Sequence, residues 1–293
     1  MPAYRSAGIP AHRHGSKKMK DTNKNIYLIL AFIEGCSVMA IELFGAKMAA
    51  IYYGNSLYVW TSILSVAVAG LAAGYFSGGF FSRKFPEKQT LFYIFFAASL
   101  SVLIMPAWAD TTLKMTMIFG YQQGSVISCF LFLFPPMVCF GMVPPTIIKL
   151  ITENLSKSGS HTGNVYTIST AGGVIMTLIA GFYILPNFGL RAGTYTVAIV
   201  LATIPFLYFF KEKILISVAM VFLCVLFIST GMSSARQKRS SHVRVLYKTD
   251  GLQGQMLVAD DLNTQKRSLL VNNISQTFMH IPSGKSQWRY IHR

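Results

Sequence analysis

Apolar runs separated by short polar breaks fill most of the chain before residue 233. They lie near 26–50, 58–81, 90–109, 125–151, 164–185, 191–210 and 213–232, and a helix needs about 20 apolar residues to cross a hydrocarbon core. The pattern predicts an all-α polytopic membrane bundle of about seven transmembrane helices. The breaks carry Gly, Pro or charge: Tyr53-Gly54-Asn55, Arg83-Lys84 with Pro86, the segment around Lys114, Lys157-Ser158-Gly159, Pro186-Asn187 and Lys211-Glu212-Lys213. Links this short imply antiparallel neighbours.

Past residue 233 the pattern changes period. Val243, Val245 and Tyr247 alternate with other residues, and Met256-Leu257-Val258 and Leu269-Leu270-Val271 are short apolar runs bounded by turn residues, which predicts three strands. Asp250-Gly251 and Asp260-Asp261-Leu262-Asn263 have hairpin chemistry. A small, incomplete antiparallel β segment is expected, with little core and bare edges; it reads as the opening of a larger domain. The chain thus divides into a basic arm (1–25), a transmembrane helical domain (26–232) and a β-rich tail (233–293).

Composition makes lipid the expected solvent, because 53% of residues are hydrophobic and only 12% charged. Lys+Arg 26 against Asp+Glu 10 leaves a formal net charge of +16. The excess gathers at the ends. The arm holds Arg5, Arg13, Lys17, Lys18, Lys20 and Lys24 against Asp21, a pattern suited to anionic lipid headgroups; without interleaved aromatics or a binding fold, nucleic acid is not an expected partner. Cys36, Cys129, Cys139 and Cys224 all fall in apolar runs with no close pairing, so neither a metal nor a redox couple is expected. The first run is too long for a signal peptide and is taken as a retained span.

A multi-pass protein of the cell membrane follows, with orientation read from Lys and Arg in short loops. Arg83, Lys84, Lys88, Lys157, Lys211 and Lys213 follow the second, fourth and sixth runs, against Lys114 and Arg191 in the alternate loops. That places the N-terminus in the cytoplasm. Seven spans would then put Arg236, Lys238 and Arg239 on the far side, in conflict with the same rule. The stretch 109–151, with its two proline pairs, is where a miscounted or re-entrant segment is expected.

Within the first run, Glu34 and Glu42 sit about 12 and 24 Å along the helix from Ile26, at depths where a carboxylate is costly. Eight residues apart, they are roughly 80° apart around the axis and can form one intramembrane polar site. Two readings stand: a proton relay or cation site, or carboxyls that are protonated or paired and only lock helix packing. Lys47 and Lys149 lie near helix ends and are expected to snorkel. Gly70, Gly74 and Gly78 recur at four-residue spacing as a packing seam, a device repeated by Ser169, Gly173, Thr177 and Gly181. Pro135, Pro136, Pro144 and Pro145 remove backbone donors and are expected to kink the fourth run, as helices lining transporter cavities are kinked. No nucleophile elbow, phosphate loop or metal-spaced His pair is present in the sequence.

Several of these runs resemble the membrane domain of fused membrane spermidine synthase-like proteins. They are Glu34-Gly35 with Met39-Ala40-Ile41-Glu42, Gly54-Asn55-Ser56-Leu57-Tyr58-Val59-Trp60-Thr61, Gly141-Met142-Val143-Pro144-Pro145, and Gly163-Asn164-Val165-Tyr166-Thr167-Ile168-Ser169-Thr170 with Gly172-Gly173. The resemblance implies that the tail is the start of a polyamine aminopropyltransferase domain, and that Gln276 stands where such synthases bind the nucleoside end of their cofactor. That cofactor, decarboxylated S-adenosylmethionine, would require residues of a Rossmann-like part that this chain lacks. The resemblance therefore implies an anchoring or sensing module beside a synthase-like catalytic domain or subunit, with no catalytic residue and no cofactor of its own. The alternative from the residues alone is a small transporter-like protein moving a cation or polyamine through Glu34 and Glu42.

Overall fold

The computed structural model describes residues 21–152, 158–210, 243–251, 254–271 and 274–286. Four helical stretches are long and apolar enough to cross a membrane: Lys24–Tyr53, Leu57–Lys84, Lys88–Ile151 and Ser158–Phe209. The third holds 64 residues and the fourth 52. A straight helix of 64 residues would run about 96 Å, some three times the roughly 30 Å of a hydrocarbon core, so both must double back.

Glycines make the reversals. The third stretch comprises α3 (Lys88–Thr116), a tight 3-10 turn at Met117–Phe119 and α4 (Gly120–Ile151), with Gly120 at φ 76°. The fourth comprises α5 (Ser158–Ile179), a π-helical turn at Ala180–Ile184 and α6 (Leu185–Phe209), broken at Gly189 with φ 77°. Positive φ of this size suits only residues without Cβ crowding. With α1 (Asp21–Tyr53) and α2 (Leu57–Lys84), the described residues hold six helical legs. The expected count of seven is not supported, and the run 213–232 lies outside the described residues. The six legs coincide with the first six apolar runs, and the break around Lys114 is the end of α3, a turn and the start of α4 rather than a re-entrant segment.

Side-chain pairs fix the direction of each leg. Tyr53 Oη meets Thr116 Oγ1 at 2.9 Å, and Ser62 Oγ meets Ser125 Oγ at 3.0 Å. Those contacts gather the end of α1, the start of α2, the end of α3 and the start of α4 at one end of the bundle. At the opposite end Phe92 stacks on Tyr208 at 3.7 Å, which brings the start of α3 beside the end of α6. Six alternating legs return residue 209 to the end where α1 begins. The conflict between the charge rule and an odd number of spans does not arise for these six.

The core runs through α1, α3 and α4, where Ile41, Phe44, Phe95, Leu133, Met137 and Phe140 are fully buried. Large apolar side chains such as Phe76, Ile118, Leu57 and Phe182 face outward, as a lipid-facing surface requires. Within α4 the chain remains helical through Pro135, Pro136, Pro144 and Pro145. Each ring deprives the carbonyl four residues earlier of its donor. For Pro135 that carbonyl is Leu131, and the Trp108 indole Nε1 donates to it at 3.1 Å from α3.

The tail forms an antiparallel sheet in the order β1 (Val243–Gly251), β2 (Gly254–Asp261), β3 (Lys266–Val271) and β4 (Ile274–His280). Four strands replace the three expected. The added strand, Ile274-Ser275-Gln276-Thr277-Phe278-Met279-His280, is too polar to announce itself, and backbone pairing to Lys266–Val271 supplies what its side chains do not. Asp260 and Asp261 both belong to β2 rather than to the following turn, and Asp261 accepts bonds from that turn's Asn263 and Thr264 amides. Register shifts between Val245 and Tyr247 leave Leu246 as an extra residue in β1, so the alternation of Val243, Val245 and Tyr247 is broken by a bulge.

Candidate functional site

Backbone meets backbone between α1 and α5. A Cβ built on Gly35 would fall 1.9 Å from the Ser169 carbonyl oxygen, and one on Gly172 would fall 2.4 Å from the Phe32 carbonyl oxygen. Only glycine permits backbones to close to this distance. Gly173 joins the same seam against Met39, and Cys36 Sγ donates to the Gly172 carbonyl at 3.2 Å. Gly181, expected on that stripe, meets nothing within 4 Å; the π-helical turn at Ala180–Ile184 changes the angular period just before it, and Gly172 is the glycine used.

Close approach carries Glu34 to Ser169. Glu34 is 2% exposed, and the Ser169 hydroxyl donates to its Oε2 at 2.8 Å. That single bond leaves Oε1 as the acceptor available to a ligand. The carboxyl lies at the floor of a groove of about 500 Å³, within the range of small-molecule sites, formed by α1 below and by α2 and α5 as walls. Gly35, Val38 and Met39 continue the floor; Leu71 and Tyr75 form one wall; Ser169, Thr170, Gly173, Val174, Thr177 and Leu178 form the other. Among the described residues of the lining, Glu34 is the one acid.

The two walls meet at one level. Tyr75 of α2 and Tyr166 of α5 pack edge to face at 6.1 Å, on the side of Glu34 toward the start of α1. Toward the other end of the bundle the groove is apolar, with Val174 at 59% and Leu178 at 55% exposure on its rim. The Thr177 hydroxyl there is spent on its own helix, donating to the Gly173 carbonyl at 2.8 Å. The cavity is therefore a polar head with an apolar slot, open sideways.

Glu42 does not line this groove. It is half-buried on α1, two turns beyond Glu34, so the groove's described lining holds one carboxyl of the pair. Gly70, Gly74 and Gly78 face α4: a Cβ on Gly74 would fall 2.4 Å from the Val138 carbonyl oxygen and 2.6 Å from the Gly141 Cα, and one on Gly78 would fall 2.9 Å from the Pro145 ring. The prolines of α4 thus stand behind a closed seam rather than along the groove. Gln276 is the extra residue of β4 where the register shifts between Leu269 and Leu270, and its side chain is exposed.

A second polar cluster was not evident in the sequence. At the bundle end where α1 and α3 finish, the Tyr52 hydroxyl donates to Asp110, and Lys114 Nζ donates to the same carboxylate at 2.5 Å. Arg191, at the start of α6, lines a small cavity of about 40 Å³ with Tyr52 and Asp110. Its one legible signal was an acid at the margin of an apolar run.

Fold and site together define a helical bundle with spans suited to a bilayer and one buried carboxylate opening into a lateral groove. Compared with protein families, curated proteins and solved structures, the chain matches none.

Proposed function

We propose that the chain is a multi-pass module of the cell membrane that binds a cation at Glu34, its N-terminus facing the cytoplasm. The observation that carries this reading is a carboxyl 2% exposed, held by one serine at the floor of a cavity. Intramembrane acids are costly to bury and mark binding or proton-carrying sites. Lys24, Arg83, Lys84, Lys88 and Lys149 fall at the end where α1 begins, which supports the cytoplasmic assignment.

Binding or sensing is favoured over transport. Passage of a cation through both Glu34 and Glu42 needs a path that touches both, and only Glu34 opens into the groove. The resemblance to fused spermidine synthase-like proteins adds a proposed neighbour, a synthase-like catalytic domain or subunit. In that arrangement decarboxylated S-adenosylmethionine belongs to the neighbour, while the basic arm holds anionic headgroups.

The test uses the full chain in lipid nanodiscs, with ammonium, alkylamines and spermidine titrated by calorimetry. At least one amine is expected to bind to the wild type, and Glu34→Gln, which keeps a side chain able to meet Ser169, is expected to weaken binding at least about tenfold, the size of one charge-assisted hydrogen bond. Equal binding by the variant would remove the proposal.

A further inference from the structure

The shape of the groove narrows the ligand class, and the narrowing rests on the cation reading above. We infer that the site takes a primary monoamine with an apolar tail, admitted from the bilayer between α2 and α5, rather than a polyamine.

Three features of the lining carry this. First, the described lining offers a single acid: Glu34 meets Ser169 through Oε2 and has its other oxygen for one ammonium. A polyamine would bury its further ammonium groups against Val38, Leu71, Val174 and Leu178, and an unpaired charge in such surroundings is costly. Second, an aromatic ring lines the groove beside the carboxyl. Tyr75 is part of the lining and packs edge to face with Tyr166 at 6.1 Å, and an aromatic ring close to an ammonium adds a cation–π attraction. Third, the remaining slot is apolar and its rim is exposed at Val174 and Leu178, while Tyr75–Tyr166 bridges the walls nearer the cytoplasmic end. Among the described residues the open side is the one with this exposed apolar rim, which suits entry from lipid. A ligand with a linear tail can enter sideways, lay its ammonium on Glu34 and leave the tail in the slot.

Carbodiimide labelling reads occupancy of Glu34 directly. With dicyclohexylcarbodiimide the carboxylic acid O–H adds across one C=N bond to give an O-acylisourea, which rearranges to a stable N-acylurea detected on the Glu34 peptide by mass spectrometry. The full chain in nanodiscs is expected to label at Glu34 from the lipid phase. Octylamine should protect at concentrations at least about tenfold lower than octanol or spermidine, since only octylamine supplies both one ammonium and the tail. Val174→Trp, a substitution at an exposed rim position, should weaken protection by octylamine about tenfold or more while leaving the weaker protection by ammonium ion unchanged.

Each alternative outcome overturns a stated part. No labelling of Glu34 removes the lateral entrance. Octanol protecting as well as octylamine removes the cation reading itself. Spermidine protecting as well as or better than octylamine keeps the cation site and overturns the ligand class; an unaffected Val174→Trp overturns the tail slot.

Discussion

Two seams in this bundle are built from the same small residues and end differently. Along α2–α4, Gly70, Gly74 and Gly78 meet Met137, Val138, Gly141, Met142 and Pro145, and the helices close on each other with nothing between them. Along α1–α5, Gly35, Gly172 and Gly173 bring backbones as near, yet a groove of about 500 Å³ lies beside the contact. The difference comes from the third helix. Leaning α5 hard on α1 leaves its other flank short of α2, and the two touch through Tyr75 and Tyr166. Close packing of one pair thus creates the cavity, and the acid on the floor gives it chemistry.

The largest effect is expected from a methyl group on either seam. Gly35→Ala places its Cβ where the Ser169 carbonyl stands, so α5 must move. Overpacking of this kind typically costs about 1–3 kcal/mol, and more where backbone is the obstacle; amine binding should disappear with it. Gly74→Ala is expected to cost a similar amount in thermal unfolding but to leave the Glu34 groove able to bind. Gly79→Ala, with nothing within 4 Å, should be neutral or stabilise by up to about 1 kcal/mol. If Gly74→Ala abolished binding and Gly35→Ala did not, the assignment of one seam to packing and the other to the site would be reversed.

A smaller effect sharpens the account of α4. Trp108→Phe removes the indole that meets the Leu131 carbonyl and should cost about 0.5–1 kcal/mol. In a Pro135→Ala background the helix supplies its own donor to Leu131, so the same substitution should cost less. Additive costs in the double-mutant cycle would show that the indole does not compensate for the proline.

The smallest expected effect lies in the sheet, where packing is thinnest. Arg267 Nε and its second guanidinium nitrogen donate to the two Asp260 oxygens at 2.7 and 2.9 Å, and that bidentate bond holds the Asp260 carboxyl below the usual aspartate range. A depressed folded-state pKa contributes stability above the ordinary aspartate pKa of about 3.9, and that contribution fades as pH falls through the folded value. Acid titration of the sheet's amide signals should show a loss of stability below about pH 4. Asp260→Asn should flatten it.

Much of the bundle was legible in the amino acids because bilayer crossing is a property of composition along the chain. Runs of apolar residues, glycines at four-residue spacing and acids at forbidding depth can be read without knowing any neighbour. Glu34 was found in this way. Gly120 and Gly189, which turn two long stretches back on themselves, are ordinary glycines until their φ angles are known. The strand carrying Gln276 is polar at Ser275, Gln276 and Thr277 and is placed by backbone pairing to β3, so a pattern of side chains had little to show.

Which residues share a cavity was decided by tertiary structure alone. Glu34 and Glu42 look equivalent along α1, but a single helix cannot say where its partners stop. The placement of α2 and α5 gives Glu34 a serine, two tyrosines and open volume, and leaves Glu42 off the groove. Hydrophobicity along a chain fixes what must avoid water. The distances between helices, set by side-chain volumes on every face at once, decide where space remains.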